Sequence, residues 1–120
     1  MGYRSNVVIA INKDLLKSEP NILGDLSDCD QIHQSDDVYY FEYHSVKWYP
    51  EYEAVRRITE FVQENSNSAS MVRLGEEFDD VEGIGDYIDH GLTVQRSIDL
   101  PFVEPVKFKN LKLLFFKKDE

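Results

Sequence analysis

The sequence predicts a single α+β domain in which a mostly antiparallel sheet of four to five strands packs two helices on one face. The chain has 120 residues, close to the commonest size of one domain, so we expect residues 1–120 to fold together. Its composition, 42% hydrophobic and 30% charged, is that of a chain that buries a core. Segments of strand-like and helical periodicity alternate in the order β-α-β-α-β-β, with room for a further strand at the C-terminus.

The first strand is predicted at residues 7–11, where apolar side chains occupy both alternating faces. Such a pattern is typical of a central strand that is covered above and below. Asn12 then stands where the N-cap of a short helix over 13–17 is expected. Residues 21–37 are rich in aspartate and serine and predict an irregular connection, with a helical turn near its start.

Aromatic residues crowd the segment 38–49, which predicts the second strand. Tyr39, Phe41 and Tyr43 share one face, which we expect to be core, while the opposite face, which includes Tyr40, is expected to be half exposed. Trp48 and Tyr49 follow at the end of this strand. They fit either the core or an exposed binding surface, because tyrosine and tryptophan dominate interface hot spots.

Pro50, a favoured first helical residue, begins the best-specified element of the chain. Apolar residues then recur at helical spacing on one side, with charged residues on the other. The apolar positions are Tyr52, Val55, Ile58 and Val62. This pattern predicts an amphipathic helix of three to four turns.

The second half of the chain carries less regular signals. Residues 71–74 predict a short strand, and the glycine-containing stretch 75–91 predicts a loop or a bulged hairpin. Apolar and polar residues alternate over 92–98, which predicts another strand that Pro101 ends. Residues 101–120 fit either an edge strand or an exposed basic and apolar tail. An exposed apolar tail favours a homodimer, because such a surface rarely stays uncovered.

Charge is distributed unevenly along the chain. The net charge is −10, but residues 107–120 contain five Lys, one Asp and one Glu, a net +3, which leaves −13 for residues 1–106. An acidic body is repelled by nucleic acid and by anionic membranes and is attracted to basic protein surfaces. We therefore expect a protein partner with a basic surface, no direct nucleic-acid binding by the body, and no membrane binding.

Cysteine content indicates a reducing compartment. Cys29 is the only cysteine, so the chain can form neither an internal disulfide nor a thiolate metal cage. The flanking Asp28 and Asp30 disfavour its thiolate. The N-terminal apolar stretch is too short for a signal peptide or a membrane span, so we expect a cytoplasmic protein.

The acidic stretch after residue 75 is the strongest local feature, and it fits either a solvated acidic loop or a partner-binding surface. Its spacing does not match that of a calcium-binding EF-hand loop, so we expect no metal and no cofactor, although Asp79, Asp80 and Glu82 are the ligands to test for a hard cation. The predicted partner-binding residues are Glu76, Glu77, Asp79, Asp80, Glu82 and Asp86, together with Trp48 and Tyr49.

Catalytic motifs are absent from the sequence, which predicts a protein that is not an enzyme. His33, His44 and His90 belong to no metal or general-base pattern, and no serine lies in a Gly-x-Ser-x-Gly context. Arg73 and Arg96 leave two alternatives open. Either they pair with the acidic stretch, or they clamp an anionic ligand, which makes the protein a binding module for a nucleotide-like molecule.

Four segments resemble a group of small uncharacterised proteins encoded by bacteriophages and prophages. They are 1–5 (Met-Gly-Tyr-Arg-Ser), 48–52 (Trp-Tyr-Pro-Glu-Tyr), 72–77 (Val-Arg-Leu-Gly-Glu-Glu) and 79–82 (Asp-Asp-Val-Glu). The resemblance supplies no catalytic residue. It implies a phage origin, and a place in the bacterial host cytoplasm, rather than a mechanism. Because small acidic phage proteins often act by binding a host protein, our hypothesis is an interaction protein that inhibits or modulates a host protein, including an anti-defence factor that occludes a basic nucleic-acid-binding surface.

Overall fold

A computed structural model describes residues 2–95 and 97–115. The elements are β1 (Ser5–Asn12), α1 (Lys13–Ser18), α2 (Ile22–Asp25), β2 (Gln31–Gln34), β3 (Val38–Val46), α3 (Glu53–Glu64), β4 (Ala69–Leu74), β5 (Val81–Ile84), β6 (Thr93–Val94), β7 (Ile98–Asp99), β8 (Glu104–Val106) and α4 (Phe108–Phe115). Six strands form one antiparallel sheet in the order β5-β4-β1-β3-β2-β8, and β6 pairs with β7 alone. The α+β class is confirmed.

The predicted numbers and order of elements are wrong. The main sheet has six strands rather than four or five, and four helices rather than two lie in the described chain. One missed element, β2, lies in the connection that was predicted to be irregular, whereas α2 is the helical turn predicted near the start of that connection. The polar sequence of β2 carries a weak strand signal, and the strand forms because it pairs with β3, with Ile32 opposite Phe41.

The strand predicted over 92–98 is also wrong. Its two ends form β6 and β7, which fold back on each other. The apolar residues Leu92, Val94 and Ile98 pack against one face of the main sheet instead of extending it. The alternation of apolar and polar residues over 92–98 therefore results from packing on the sheet and not from a single strand.

The central position of β1 confirms the first strand prediction. It pairs with β3 on one side and with β4 on the other. Val7, Ile9 and Ile11 point to the face covered by the four helices, which we call the helix face. Val8 and Ala10 point to the opposite face, which we call the loop face because residues from the segments 85–95 and 97–103 cover it.

Three local details differ from the expectation. The α3 helix begins at Glu53 rather than at Pro50, because a turn in which the Tyr52 N–H bonds the Tyr49 carbonyl precedes it. Asn12 provides no side-chain cap for α1. Tyr40, expected on a half-exposed face, is buried on the loop face with 1% of its surface exposed. Both faces of the sheet are thus core.

The end of the chain forms an edge strand followed by a helix. β8 pairs with β2, with Val106 opposite Ile32, and α4 then packs Leu111 into the core of the helix face. The last part of the predicted tail, 116–120, lies outside the described residues. Among the helices that are described, the longest has 12 residues, and none is long and apolar enough to cross a bilayer.

Candidate protein-binding surface

The acidic stretch begins with a tight connection between β4 and β5, which we call the tip loop (75–80). The Gly75 N–H donates to the Asp80 carbonyl at 2.8 Å, and the Asp80 N–H donates to the Glu77 carbonyl at 3.1 Å. Leu74 and Val81 pair directly below it. The first half of the predicted loop is therefore the turn of a regular hairpin.

Arg73 neutralises part of the acidic stretch from inside. Its guanidinium lies 2.7 Å from Asp80 Oδ1 and 3.0 Å from Glu82 Oε1, and it also donates to the Ser5 hydroxyl at 3.1 Å. These hydrogen bonds raise the pKa of Arg73, and the bond from Arg73 holds the pKa of Asp80 below its usual range. Both groups are therefore charged at neutral pH, and they fix the base of the tip loop.

Tyr3 joins the tip loop to the aromatic residues after β3. Its hydroxyl donates to Asp80 Oδ2 at 2.6 Å and accepts from the Glu77 N–H at 3.1 Å. Its own N–H donates to the Tyr49 hydroxyl at 2.9 Å. The bond to Asp80 raises the pKa of Tyr3. The N-terminal segment thus brings together residues that lie more than 70 positions apart in sequence.

Gly75 leaves room for the contact between the loop and Tyr3. A Cβ atom at this position would displace the Asp80 carboxylate and the Tyr3 hydroxyl from their present positions. Arg4 adds a further contact, because its N–H donates to Glu76 Oε2 at 2.6 Å. The carboxylates of Glu76 and Asp80 are therefore engaged within the molecule.

The residues at the outermost part of the loop point into solvent. Phe78 is 83% exposed, and it stands between the exposed residues Glu77 and Asp79. Within residues 2–95 and 97–115, no hydrogen bond or ion pair engages the side chains of Glu77 and Asp79. The loop therefore presents an aromatic ring between two uncompensated negative charges.

Of the two predicted aromatic anchors, Tyr49 is linked to the tip loop through Tyr3, whereas Trp48 packs against the core. The Tyr49 ring lies 5.2 Å from the ring of Tyr52, which is 46% exposed. Trp48 is half buried and packs on Tyr43, with 4.9 Å between ring centroids. We call residues 76–79 together with Tyr3, Tyr49 and Tyr52 the tip surface.

Asp86, another of the predicted partner-binding residues, stands apart from this surface. Asp86 follows β5 at the far end of the hairpin, where its N–H donates to the Ser66 carbonyl at 3.3 Å. Arg96 lies outside the described residues. No three His, Cys, Asp or Glu side chains in the described part of the chain are grouped so that they could hold a metal ion.

A buried polar network on the loop face has no signal in the sequence. The Ser70 hydroxyl lies 2.7 Å from His90 Nδ1, and His90 Nε2 lies 3.1 Å from Asn12 Oδ1. Because an amide oxygen only accepts, we assign the proton to Nε2, so that Nδ1 accepts from Ser70. Burial lowers the pKa of His90. Ser70 has no exposed surface, and His90 is 7% exposed.

Comparisons of the chain with protein-family models, with curated proteins and with solved structures find no match.

Proposed function

We propose that the protein is a non-catalytic interaction protein whose tip surface binds a basic surface of another protein. The observation that carries the proposal is the exposure of Phe78, 83%, between Glu77 and Asp79, whose charges have no counterpart in the described part of the chain. A large aromatic ring anchors an interface by burial, while the charges around it steer the encounter and select the partner.

The internal contacts of the loop support this role. Arg73, Tyr3 and Gly75 hold the backbone of the tip loop before any partner arrives. A loop that is already ordered loses less conformational entropy on binding, so more of the contact energy appears as affinity. The same contacts explain why Asp80 and Glu82 support the surface instead of meeting the partner directly.

The partner that fits this surface is a protein with a basic, nucleic-acid-binding site. A basic surface that binds nucleic-acid phosphates also attracts clustered carboxylates. This protein, once bound to such a surface of its partner, would therefore exclude nucleic acid from it. The resemblance to small phage and prophage proteins supports a bacterial host protein as the target, in the host cytoplasm. More specifically, we propose that the partner is a host defence protein and that binding inhibits it.

The alternative, a binding module for an anionic ligand, has weaker support at Arg73. Two carboxylates already engage its guanidinium, which leaves that site with a net negative charge. An anion would therefore have to displace Asp80 and dismantle the base of the tip loop.

Capture from a bacterial lysate, followed by binding measurements with the purified partner, tests the proposal. The tip variant E77Q/F78S/D79N removes the anchor and its two charges. The control E51Q/E64Q/F102S makes the same kinds of change at exposed positions elsewhere. We expect one stoichiometric partner at low salt, and a dissociation constant at least about thirtyfold higher for the tip variant than for the control.

Three outcomes decide between the alternatives. Displacement of the protein from its partner by DNA or RNA supports occlusion of a nucleic-acid site. Equal affinity of the tip variant and the wild type would overturn the tip surface as the binding site. Recovery of the protein alone, with a small anion released on denaturation, would favour the ligand-binding module.

A further inference from the structure

The edge of the sheet opposite the tip loop carries a groove of opposite chemistry. It lies between β8 and α4 and has a volume of about 560 Å³. We call it the Leu-Lys groove, and its lining residues that matter here are Tyr39, Val106, Lys107, Lys109, Leu111 and Leu114. Tyr39 and Leu111 are buried and form an apolar floor, while Lys107 and Lys109 are exposed at its rim.

The charge and the exposed apolar side chains of the groove both indicate that another molecule binds there. No carboxylate lines it, and neither Lys107 nor Lys109 forms an ion pair with any of the described residues. Leu114, on its wall, is 63% exposed, and the adjacent Leu113 is 70% exposed. A positively charged, partly apolar groove in a chain of net charge −10 favours an occupant that is apolar and acidic.

The tip loop has that chemistry. The Phe78 ring matches the apolar floor of the groove, and Glu77 and Asp79 on either side match Lys107 and Lys109 at the rim. The two surfaces cannot meet within one molecule, because β5 and β8 are the two outer strands of the six-stranded sheet. Five inter-strand spacings of about 4.8 Å separate these strands by about 24 Å.

We propose that the tip loop of one copy binds the Leu-Lys groove of a second copy. The contact joins two different surfaces, so it is head-to-tail and leaves a free tip and a free groove at the ends of each chain of molecules. Association therefore grows with concentration and weakens with salt. It also covers the tip surface, so self-association competes with binding of a partner protein. The contact shares the tip surface with the proposed function, but its other half, the Leu-Lys groove, is a surface that the partner does not need.

Mixing two complementary variants tests the head-to-tail contact. The tip variant E77Q/F78S/D79N keeps its groove, and the groove variant K107Q/K109Q/L114S keeps its tip. Sedimentation velocity is expected to show wild-type association at about 0.05 M salt that is lost at about 0.5 M. Each variant alone should self-associate at least about tenfold more weakly. An equimolar mixture should form a 1:1 dimer that does not grow, because only one intact tip and one intact groove remain.

A charge exchange within one chain sharpens the test. The variant E77K/D79K/K107E/K109E reverses both surfaces, so association should return, whereas E77K/D79K alone should stay monomeric. Near-ultraviolet circular dichroism checks that each variant is folded.

The proposal is overturned if the wild type stays monomeric at low salt, if the groove variant associates as strongly as the wild type, or if the mixture yields no dimer. If the wild type is monomeric and the groove variant no longer captures a host protein that the wild type captures, the groove binds that host protein and not a second copy. Affinity of the groove variant for the host partner, measured below the self-association range, reports on the proposed function separately, because this variant keeps the tip surface.

Discussion

The two faces of the sheet are both buried, but they are built differently. The helix face contains a large apolar cluster to which all four helices contribute. The loop face contains a smaller cluster, including Val8, Tyr40 and Leu92, beside the network of Ser70, His90 and Asn12. A helix satisfies most of its own backbone hydrogen bonds, so it can cover an apolar face without polar side chains. An irregular segment leaves N–H and C=O groups free, and buried side chains have to pair with them.

The largest expected difference between the faces concerns truncation of buried side chains. Phe41→Ala on the helix face should lower the free energy of unfolding by about 3–5 kcal/mol, because tightly packed helices relax little around a cavity. Leu92→Ala on the loop face should cost about 2 kcal/mol, since the irregular cover can collapse into the space. Urea denaturation measures both. A larger loss for Leu92→Ala would contradict the view that the loop face is the softer one.

His90 provides the second comparison, because it is a histidine that is buried on the loop face. His90→Gln should lower the free energy of unfolding at pH 7.5 by about 1–3 kcal/mol, since Ser70 and Asn12 lose their present partner. Burial lowers the pKa of His90, while the nearby charges of Asp86 and Asp89 raise it. Burial has the larger effect, so the pKa stays below that of a histidine in the unfolded chain.

The pH dependence follows from that direction. Between the two pKa values the unfolded chain binds more protons, so stability is complete above the unfolded value of about 6.5 and falls as the pH decreases below it. His90→Gln should remove this contribution to the decrease in the free energy of unfolding between pH 7.5 and 5.5. The control His44→Gln, at an exposed histidine, should retain it. Equal pH dependence in the two variants would show that His90 does not titrate in this way.

The smallest expected effect separates two tyrosines of β3 that point to opposite faces. The Tyr40 hydroxyl donates to the His90 carbonyl, so Tyr40→Phe should cost about 1 kcal/mol. The Tyr43 hydroxyl is buried on the helix face and has no hydrogen-bond partner in the described part of the chain, so Tyr43→Phe should stabilise the protein by up to about 1 kcal/mol. Thermal melts of the two variants should therefore shift in opposite directions. A destabilised Tyr43→Phe would indicate that a water molecule satisfies this hydroxyl.

Sequence reasoning succeeded where burial follows a local period. It predicted the central strand β1 from an unbroken apolar run, the buried side of β3 from aromatic residues at alternate positions, and the amphipathic helix α3 from apolar residues at helical spacing. It failed at β2 and at the β6–β7 hairpin. There the pairing partner, rather than the segment's own residues, decides the conformation, as β-propensity depends strongly on context.

The candidate site shows the same division. The acidic character of the segment after Gly75 and the presence of Arg73 beside it were visible in the sequence. The contacts of Tyr3 with Asp80 and Tyr49 were not, because the partners are 77 and 46 positions apart. The sequence also offered no means of separating Asp80, which supports the loop, from Glu77 and Asp79, which face solvent.

The sequence by itself determined the fold class, the two-sided burial of β1 and the excess negative charge. These depend on composition and on periods of two or 3.6 residues, which act within one element. Only the tertiary structure decided which carboxylates stay uncompensated, which tyrosine is satisfied, and that the tip loop and the Leu-Lys groove lie on opposite edges of the sheet. Those outcomes depend on strand order and register, which are set by contacts between distant segments competing for the same core.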